Sequence, residues 1–233
     1  GMVLNGANAV STFNATNTSG GNVSLVNTAS PLTITGYSQT GVGNFSVNNT
    51  GAISITGSVA AASGNNVTLT STGTISESGA GLISGALLTT SSVGGQTLTG
   101  ANTVSSFNAT NTSGGVVSLI NNAATLTITG ISQSGSGNVS VYNTGAIAIT
   151  GAITAGSNAV NLTSTSTITE SGAGAIAGGL LTTSSVGGQT LNGNNNVTSF
   201  NATNTTSGNI SFVDVASPLT VTGVSQSGGG SVT

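Results

Sequence analysis

Apolar and polar residues alternate along this chain in short runs that recur at a nearly constant interval. The runs Val23-Ser-Leu, Phe45-Ser-Val and Val67-Thr-Leu follow one another at a regular spacing, and a second alternating run comes shortly after each of them. Alternation with a period of two is typical of a β-strand with one buried face. Two or three such strands in each interval of about 22 residues predict the coil of a β-solenoid. The first runs start at Val23, Phe45, Val67, Leu88, Val117, Val139, Val160, Leu181 and Ile210.

A longer repeat is superimposed on these coils. The segment VSSFNATNTSGGVVSLINNAATLTITG, which spans 104–130, has counterparts beginning at Val10 and Val197, at offsets of 94 and 93 residues. The chain is therefore two and a half copies of one unit, 1–94, 95–187 and 188–233. Most coils follow the regular spacing, but the steps that lead to Val117 and Ile210 are longer. We interpret the extra residues, which include FNATN, as an insertion that bulges from the fourth coil.

These patterns predict an all-β fold, a right-handed parallel β-helix (β-solenoid) of about nine coils. We expect one domain over 1–233 that is a segment of a longer array. The composition agrees, because 37 glycines and abundant Asn, Ser and Thr suit frequent turns. Disorder is the competing interpretation of such a polar chain. The net charge of only −3 and the regular recurrence of the apolar alternation argue against it.

The charge content excludes several classes of partner. The chain contains no Lys, Arg or His and three acidic residues, Glu77, Glu170 and Asp214. Without basic side chains it cannot neutralise phosphates, so we expect no nucleic-acid partner. No run approaches the ~18 apolar residues of a membrane helix, so we expect no membrane insertion.

Stacking of parallel coils places equivalent residues about 4.8 Å apart in ladders, meaning stacks of residues from successive turns. The starting residues of the first runs are expected to form an inward apolar ladder. At the end of the same strands, stacked asparagine amides can hydrogen-bond from coil to coil. This second ladder comprises Asn27, Asn49, Ser71, Ser92, Asn121, Asn143, Ser164, Ser185 and Asp214.

Glu77 and Glu170 are the acidic residues that recur between units, and they align with inward isoleucines such as Ile55 and Ile149. One interpretation, which we favour, is that the strand bends there, so that the carboxylate points outward or accepts backbone N–H bonds. The other is a partly buried carboxylate with a raised pKa, or a ligand for an occasional cation. Four coils separate the two residues, or roughly 19 Å, whereas paired-carboxylate hydrolysis needs about 5–9.5 Å. With no His, Lys, Arg or Cys available as a base or ligand, we expect no enzymatic activity, no cofactor and no metal site.

The outward positions of the second strands are rich in threonine. A flat Thr-x-Thr array resembles the ice-binding face of β-solenoid antifreeze proteins, although threonine is also common on any solvated strand. An ice- or glycan-binding surface is therefore the alternative function. Its candidate residues are Thr33, Thr35, Thr97, Thr99, Thr127, Thr129, Thr220 and Thr222.

Tracts such as SVGGQTLTGANTVSSF, GTISESGAGLISGALLTTSSV and GNVSVYNTGAIAITGAI resemble the repeats of large bacterial exoproteins of the filamentous-haemagglutinin type. The resemblance covers essentially the whole chain. It implies a secreted adhesin or surface fibre, exported by a two-partner or autotransporter route, with a β-helical shaft that acts as a spacer. The expected location is extracellular, on the bacterial cell surface. The expected partners are self, through end-to-end stacking of coils, and host-cell or matrix glycans.

Overall fold

The computed structural model describes all 233 residues, and every regular element in it is a β-strand. The strands pair in parallel and form one continuous sheet, wound into a β-solenoid. No helix is present that could cross a lipid bilayer. The strands are β1 (Met2–Asn8), β2 (Thr12–Asn17), β3 (Val23–Asn27), β4 (Leu32–Gln39), β5 (Phe45–Asn49), β6 (Ile53–Ile55), β7 (Ser58–Ala60), β8 (Val67–Ser71), β9 (Ile75–Glu77), β10 (Leu82–Ser92), β11 (Gln96–Asn111), β12 (Val117–Asn121), β13 (Thr125–Gln133), β14 (Val139–Asn143), β15 (Ala146–Ile149), β16 (Ile153–Thr154), β17 (Val160–Ser164), β18 (Ile168–Glu170), β19 (Ile176–Ser185), β20 (Gln189–Asn204), β21 (Ile210–Asp214) and β22 (Thr220–Gln226).

The predicted fold class is confirmed, but the predicted number of coils is too small. The solenoid has about 11 turns rather than nine. Strand pairing connects one ladder through all of these turns. Leu191 lies over Glu170 in this ladder because the residues that precede them, Thr190 and Thr169, are paired. Its members are Met2, Val23, Phe45, Val67, Leu88, Phe107, Ile128, Ile149, Glu170, Leu191 and Phe212.

The difference arises from the FNATN segments, which are strands of the wall and not insertions bulging from it. Phe107 pairs with Leu88 on one side and with Ile128 on the other, and its side chain is fully buried. Phe200 lies in the same way between Leu181 and Val221. Each of the longer steps therefore contains a full turn and about a third of the next one. The alternation in FNATN permits this, because Phe107, Ala109 and Asn111 point inward, whereas Asn108 and Thr110 do not.

Each long repeat therefore begins on the next face of the solenoid, about a third of a turn beyond the face on which the previous repeat begins. Val117, which starts a first strand, lies directly over Gln96, which starts a second strand. Ile210 lies over Gln189 in the same manner. The predicted inward residues are all buried, but they belong to three successive ladders instead of one. Their core is a single cluster of 43 buried residues that runs the length of the molecule.

The asparagine ladder is part of this interior. Asn27 donates from Nδ2 to Oδ1 of Asn49 at 2.9 Å, and Asn121 donates to Asn143 at 3.0 Å. All four side chains are buried. After Ser92 the ladder continues to Asn111 of the FNATN strand, at 2.9 Å, and not to Asn121. The predicted bonding between asparagines of successive coils is thus confirmed. The predicted ladder is wrong at both junctions between repeats, because Ser185 likewise bonds to Asn204 and Asp214 lies over Asn195.

Candidate functional site

The most distinctive polar site surrounds Glu77, at the end of β9. The ladder that holds this side chain also contains Phe13, Ile34 and Ile55, so the sequence pattern directs it inward. Only 9% of Glu77 is exposed. Its Oε2 accepts a bond from the Gly100 amide at 2.7 Å and one from Asn102 Nδ2 at 3.1 Å. Its Oε1 is buried and has no hydrogen-bonding partner.

Glu170 repeats this arrangement in the second unit with nearly the same geometry. Its Oε2 accepts from the Gly193 amide at 2.7 Å and from Asn195 Nδ2 at 3.1 Å, and its Oε1 is again buried without a partner. Each carboxylate lines a small cavity beside the SGAG turn. The volumes are about 170 Å³ at Glu77 and about 220 Å³ at Glu170.

An asparagine fixes each carboxylate. Asn102 is fully buried; its Oδ1 accepts the Ile83 amide at 2.7 Å, and its Nδ2 reaches the Ile120 carbonyl oxygen at 3.0 Å. The side chain therefore connects three turns while also holding Glu77. Asn195 has the same role at Glu170. Glycine is required opposite the carboxylate, because a Cβ on Gly100 would lie 2.1 Å from the carbonyl oxygen of Gly81.

The environment shifts the pKa of both acids in the same direction. Burial raises the pKa of Glu77 above its ordinary value, and the bonds from Gly100 and Asn102 oppose this shift in part. The same causes raise the pKa of Glu170. No basic side chain exists in the chain to compensate the negative charge, so burial prevails.

The structure combines parts of the two interpretations of these residues. The carboxylates accept backbone N–H bonds, as the favoured interpretation states, but they do not point outward. Glu77 is buried and Glu170 is half-buried, the Oε1 atom of each is enclosed, and both pKa values are raised, as the other interpretation states. No group of three or more acidic, His or Cys residues surrounds either one. The two carboxylates belong to separate cavities more than four turns apart, which is on the order of 20 Å at the spacing of parallel strands.

The eight candidate threonines are half-buried or exposed. They do not share one ladder, however. Thr33 and Thr97 stack in the ladder that also holds Ser54 and Ser76. Thr127 stacks between Ser106 and Ala148, and Thr220 lies over Ser199, on two other parts of the surface. These threonines are separated because each long repeat begins about a third of a turn further round the solenoid. The second threonine of each pair is separated in the same way; these residues are Thr35, Thr99, Thr129 and Thr222.

Asn102 and Asn195 were not recognised from the sequence as partners of the glutamates. A signal was present, because each asparagine follows its glutamate at the same interval in both units. That interval exceeds one turn, so it indicates contact only once the true turn lengths and the bulges after Leu98 and Leu191 are known.

Comparison of the chain with protein-family models, with curated proteins and with solved structures finds no significant match.

Proposed function

We propose that this chain is a non-catalytic shaft segment of an extracellular bacterial adhesin or surface fibre. The observation that carries the proposal is the uninterrupted parallel wall of about 11 turns. Every long repeat adds the same kind of turn, so the repeats supply length and stiffness and no distinct module. Ladder hydrogen bonds between asparagines add coil-to-coil connections inside the wall.

The partners proposed for this shaft are further coils, either in the parent chain or in a second copy, with host-cell or matrix glycans at its polar surface. In this chain the outer turns present strand edges and apolar side chains, including Val3 at 68% exposure and Val221 at 59%. Unpaired strand edges of this kind form sheets with other strands. The absence of Lys and Arg leaves few charges to oppose end-to-end stacking.

Deletion of one long repeat tests the shaft function. Removing residues 11–104 joins Val10 to Ser105, which restores the sequence found at the equivalent junction. We expect the product to remain folded and to be shorter by four and a third turns, roughly 20 Å, with an unchanged cross-section by small-angle X-ray scattering. A collapsed or unfolded product would contradict the idea that the repeats are interchangeable lengths of wall.

Ice or glycan binding through threonine is the alternative function, and it needs a separate binding assay. The dispersed positions of the threonines do not favour it. A shaft should leave ice growth unchanged and should bind no glycan through Thr127 and Thr129. If ice shaping or glycan binding occurs, and if it is lost in the Thr127→Tyr/Thr129→Tyr variant, the surface is a recognition site and the shaft proposal is incomplete.

A further inference from the structure

The Glu170 cavity differs from the Glu77 cavity at one lining position. Asn192 occupies the place that Thr99 occupies in the earlier unit, so the Glu170 site contains an Asn-Gly dipeptide. The side chain of Asn192 is exposed, whereas Glu170 beside it is half-buried. Asparagine followed by glycine is the pair in which the next backbone nitrogen can reach the side-chain amide most easily, since glycine has no Cβ to obstruct the approach.

The hydrogen bonds around this dipeptide are arranged for such an attack. The Gly193 amide, which would be the nucleophile, donates to Glu170 Oε2 at 2.7 Å. The Ser211 hydroxyl donates to Oδ1 of Asn192 at 2.8 Å, and this bond polarises the carbonyl that would be attacked. A base on the nucleophile and a donor on the developing oxyanion are the two elements that promote acyl transfer.

We propose that Asn192–Gly193 is a self-modification site, at which the Glu170 carboxylate promotes conversion of the asparagine to aspartate or isoaspartate through a succinimide. The Gly193 nitrogen bonds to Cγ of Asn192 while its proton passes to Glu170 Oε2. The Cγ–Nδ2 bond then breaks, and the departing nitrogen takes that proton and leaves as ammonia. Water opens the ring at either carbonyl, which gives aspartate or isoaspartate and leaves Glu170 ionised.

The surroundings of Glu170 and of Asn192 support each step. Burial raises the pKa of Glu170, and a less acidic carboxyl group is a stronger base when it is ionised. Asn192 and Gly193 lie where the register between β20 and β21 shifts, between Leu191 and Asn195, so the regular ladder does not constrain them. The cavity of about 220 Å³ that Asn192 lines has room for the water that opens the ring.

The chain contains a second Asn-Gly pair that serves as an internal comparison. Asn5 and Gly6 hold the equivalent position in the first unit, and Leu4 precedes them as Leu191 precedes Asn192. Ser24 donates to Oδ1 of Asn5 at 3.0 Å, just as Ser211 does to Asn192. What Asn5 lacks is a carboxylate at the following amide. The part of the rate difference between Asn5 and Asn192 that is lost when Glu170 is replaced therefore reports the contribution of Glu170.

The test incubates the folded 233-residue chain at neutral pH in ¹⁸O-labelled water and follows both asparagines by peptide mass spectrometry. We expect Asn192 to react about 100-fold faster than Asn5, which is the lower end of what a positioned general base contributes. The Glu170→Gln variant should reduce the Asn192 rate to that of Asn5 and leave Asn5 unchanged. The Thr99→Asn variant should create a new reactive site beside Glu77.

Two further measurements make the result decisive. In concentrated urea Asn5 and Asn192 should react at similar rates, because the folded carboxylate is then absent. Circular dichroism of each variant establishes that it is folded, and the gain expected for Thr99→Asn does not depend on the stability of Glu170→Gln. The proposal is overturned if Asn192 reacts no faster than Asn5 in the folded chain, if the difference persists in urea, or if the asparagine introduced by Thr99→Asn stays unreactive.

Discussion

The buried amide of Asn49 offers the sharpest test of what holds successive turns together. Asn49 is fully buried. Its Nδ2 lies within hydrogen-bonding distance of the carbonyl oxygens of Ala29, Gly51 and Ala52, at 2.8, 3.1 and 2.9 Å. Its Oδ1 accepts a hydrogen bond from the side-chain Nδ2 of Asn27 at 2.9 Å. Asn49→Ala removes all four contacts.

The loss of stability depends on which of the four bonded groups keep another hydrogen-bonding partner in the variant. The Ala52 oxygen also accepts the Leu32 amide, the Gly51 oxygen also accepts Ser71 Oγ, and Asn27 Nδ2 also reaches the Val10 oxygen. The Ala29 oxygen is the acceptor left with the least compensation. One lost net hydrogen bond costs about 1 kcal/mol and one unsatisfied carbonyl about 1–3 kcal/mol. We therefore expect Asn49→Ala to lower the free energy of unfolding by about 2–4 kcal/mol.

Two other substitutions at this position refine the prediction. Serine occupies the same ladder position one turn further along, where Ser71 Oγ donates to Gly51 at 2.6 Å, so Asn49→Ser should recover about half of the loss. Asn49→Asp keeps the shape of the side chain but turns its donor edge into a carboxylate facing carbonyl oxygens. It should cost more than Asn49→Ala, because an unpaired buried charge adds its desolvation penalty.

The assay is urea unfolding followed by far-ultraviolet circular dichroism, with Asn48→Ala as the matched control. Asn48 is the adjacent residue and is exposed, so its replacement should change the free energy of unfolding by no more than about 0.5 kcal/mol. If Asn49→Ala and Asn48→Ala are equally stable, or if Asn49→Asp is tolerated, then the amide ladder does not carry the stability assigned to it here.

Three further outcomes are expected. Phe45→Ala should cost about 3–5 kcal/mol because its ring is fully buried, whereas Val42→Ala, at a side chain that is 84% exposed, should be nearly neutral; equal urea midpoints would contradict the assigned facing. Burial raises the pKa of Glu77 and Glu170 in the folded chain above the ordinary 4.5, so stability should be greatest below that pH and should fall as the pH rises through the folded-state pKa. The Glu77→Gln/Glu170→Gln variant should flatten this dependence in a series of thermal melts, and an unchanged slope would show that the carboxylates are not the cause. Finally, the isolated chain should form end-to-end filaments in light scattering and electron microscopy at moderate salt, and a monomer stable over a wide concentration range would refute the proposed stacking.

Much of the fold follows from the sequence by itself. The period-two alternation places apolar residues such as Val23 and Ile53 inside and threonines outside, because successive side chains of a strand point to opposite faces. The recurrence of that alternation at a nearly constant interval requires the strands to stack in parallel, turn upon turn. The burial of Asn27 and Asn49 is also implied, because they share the inward parity of the apolar residues before them.

Only the tertiary structure determined how many turns the chain forms and which residues of successive turns are in contact. The FNATN strand has the same alternation whether it lies in the wall or outside it, and pairing with β10 and β13 decides the matter. That pairing turns each long repeat by about a third of a turn, which disperses the threonines. Asn102 reaches Glu77 because the start of β11 pairs with β9 and the strand bulges after Leu98. Sequence spacing could not show this, because ladder contacts depend on the sum of turn lengths and bulges between two residues. When a whole strand lies on a different face of the solenoid, all its neighbours change, but the alternation along the strand still directs the same residues inward.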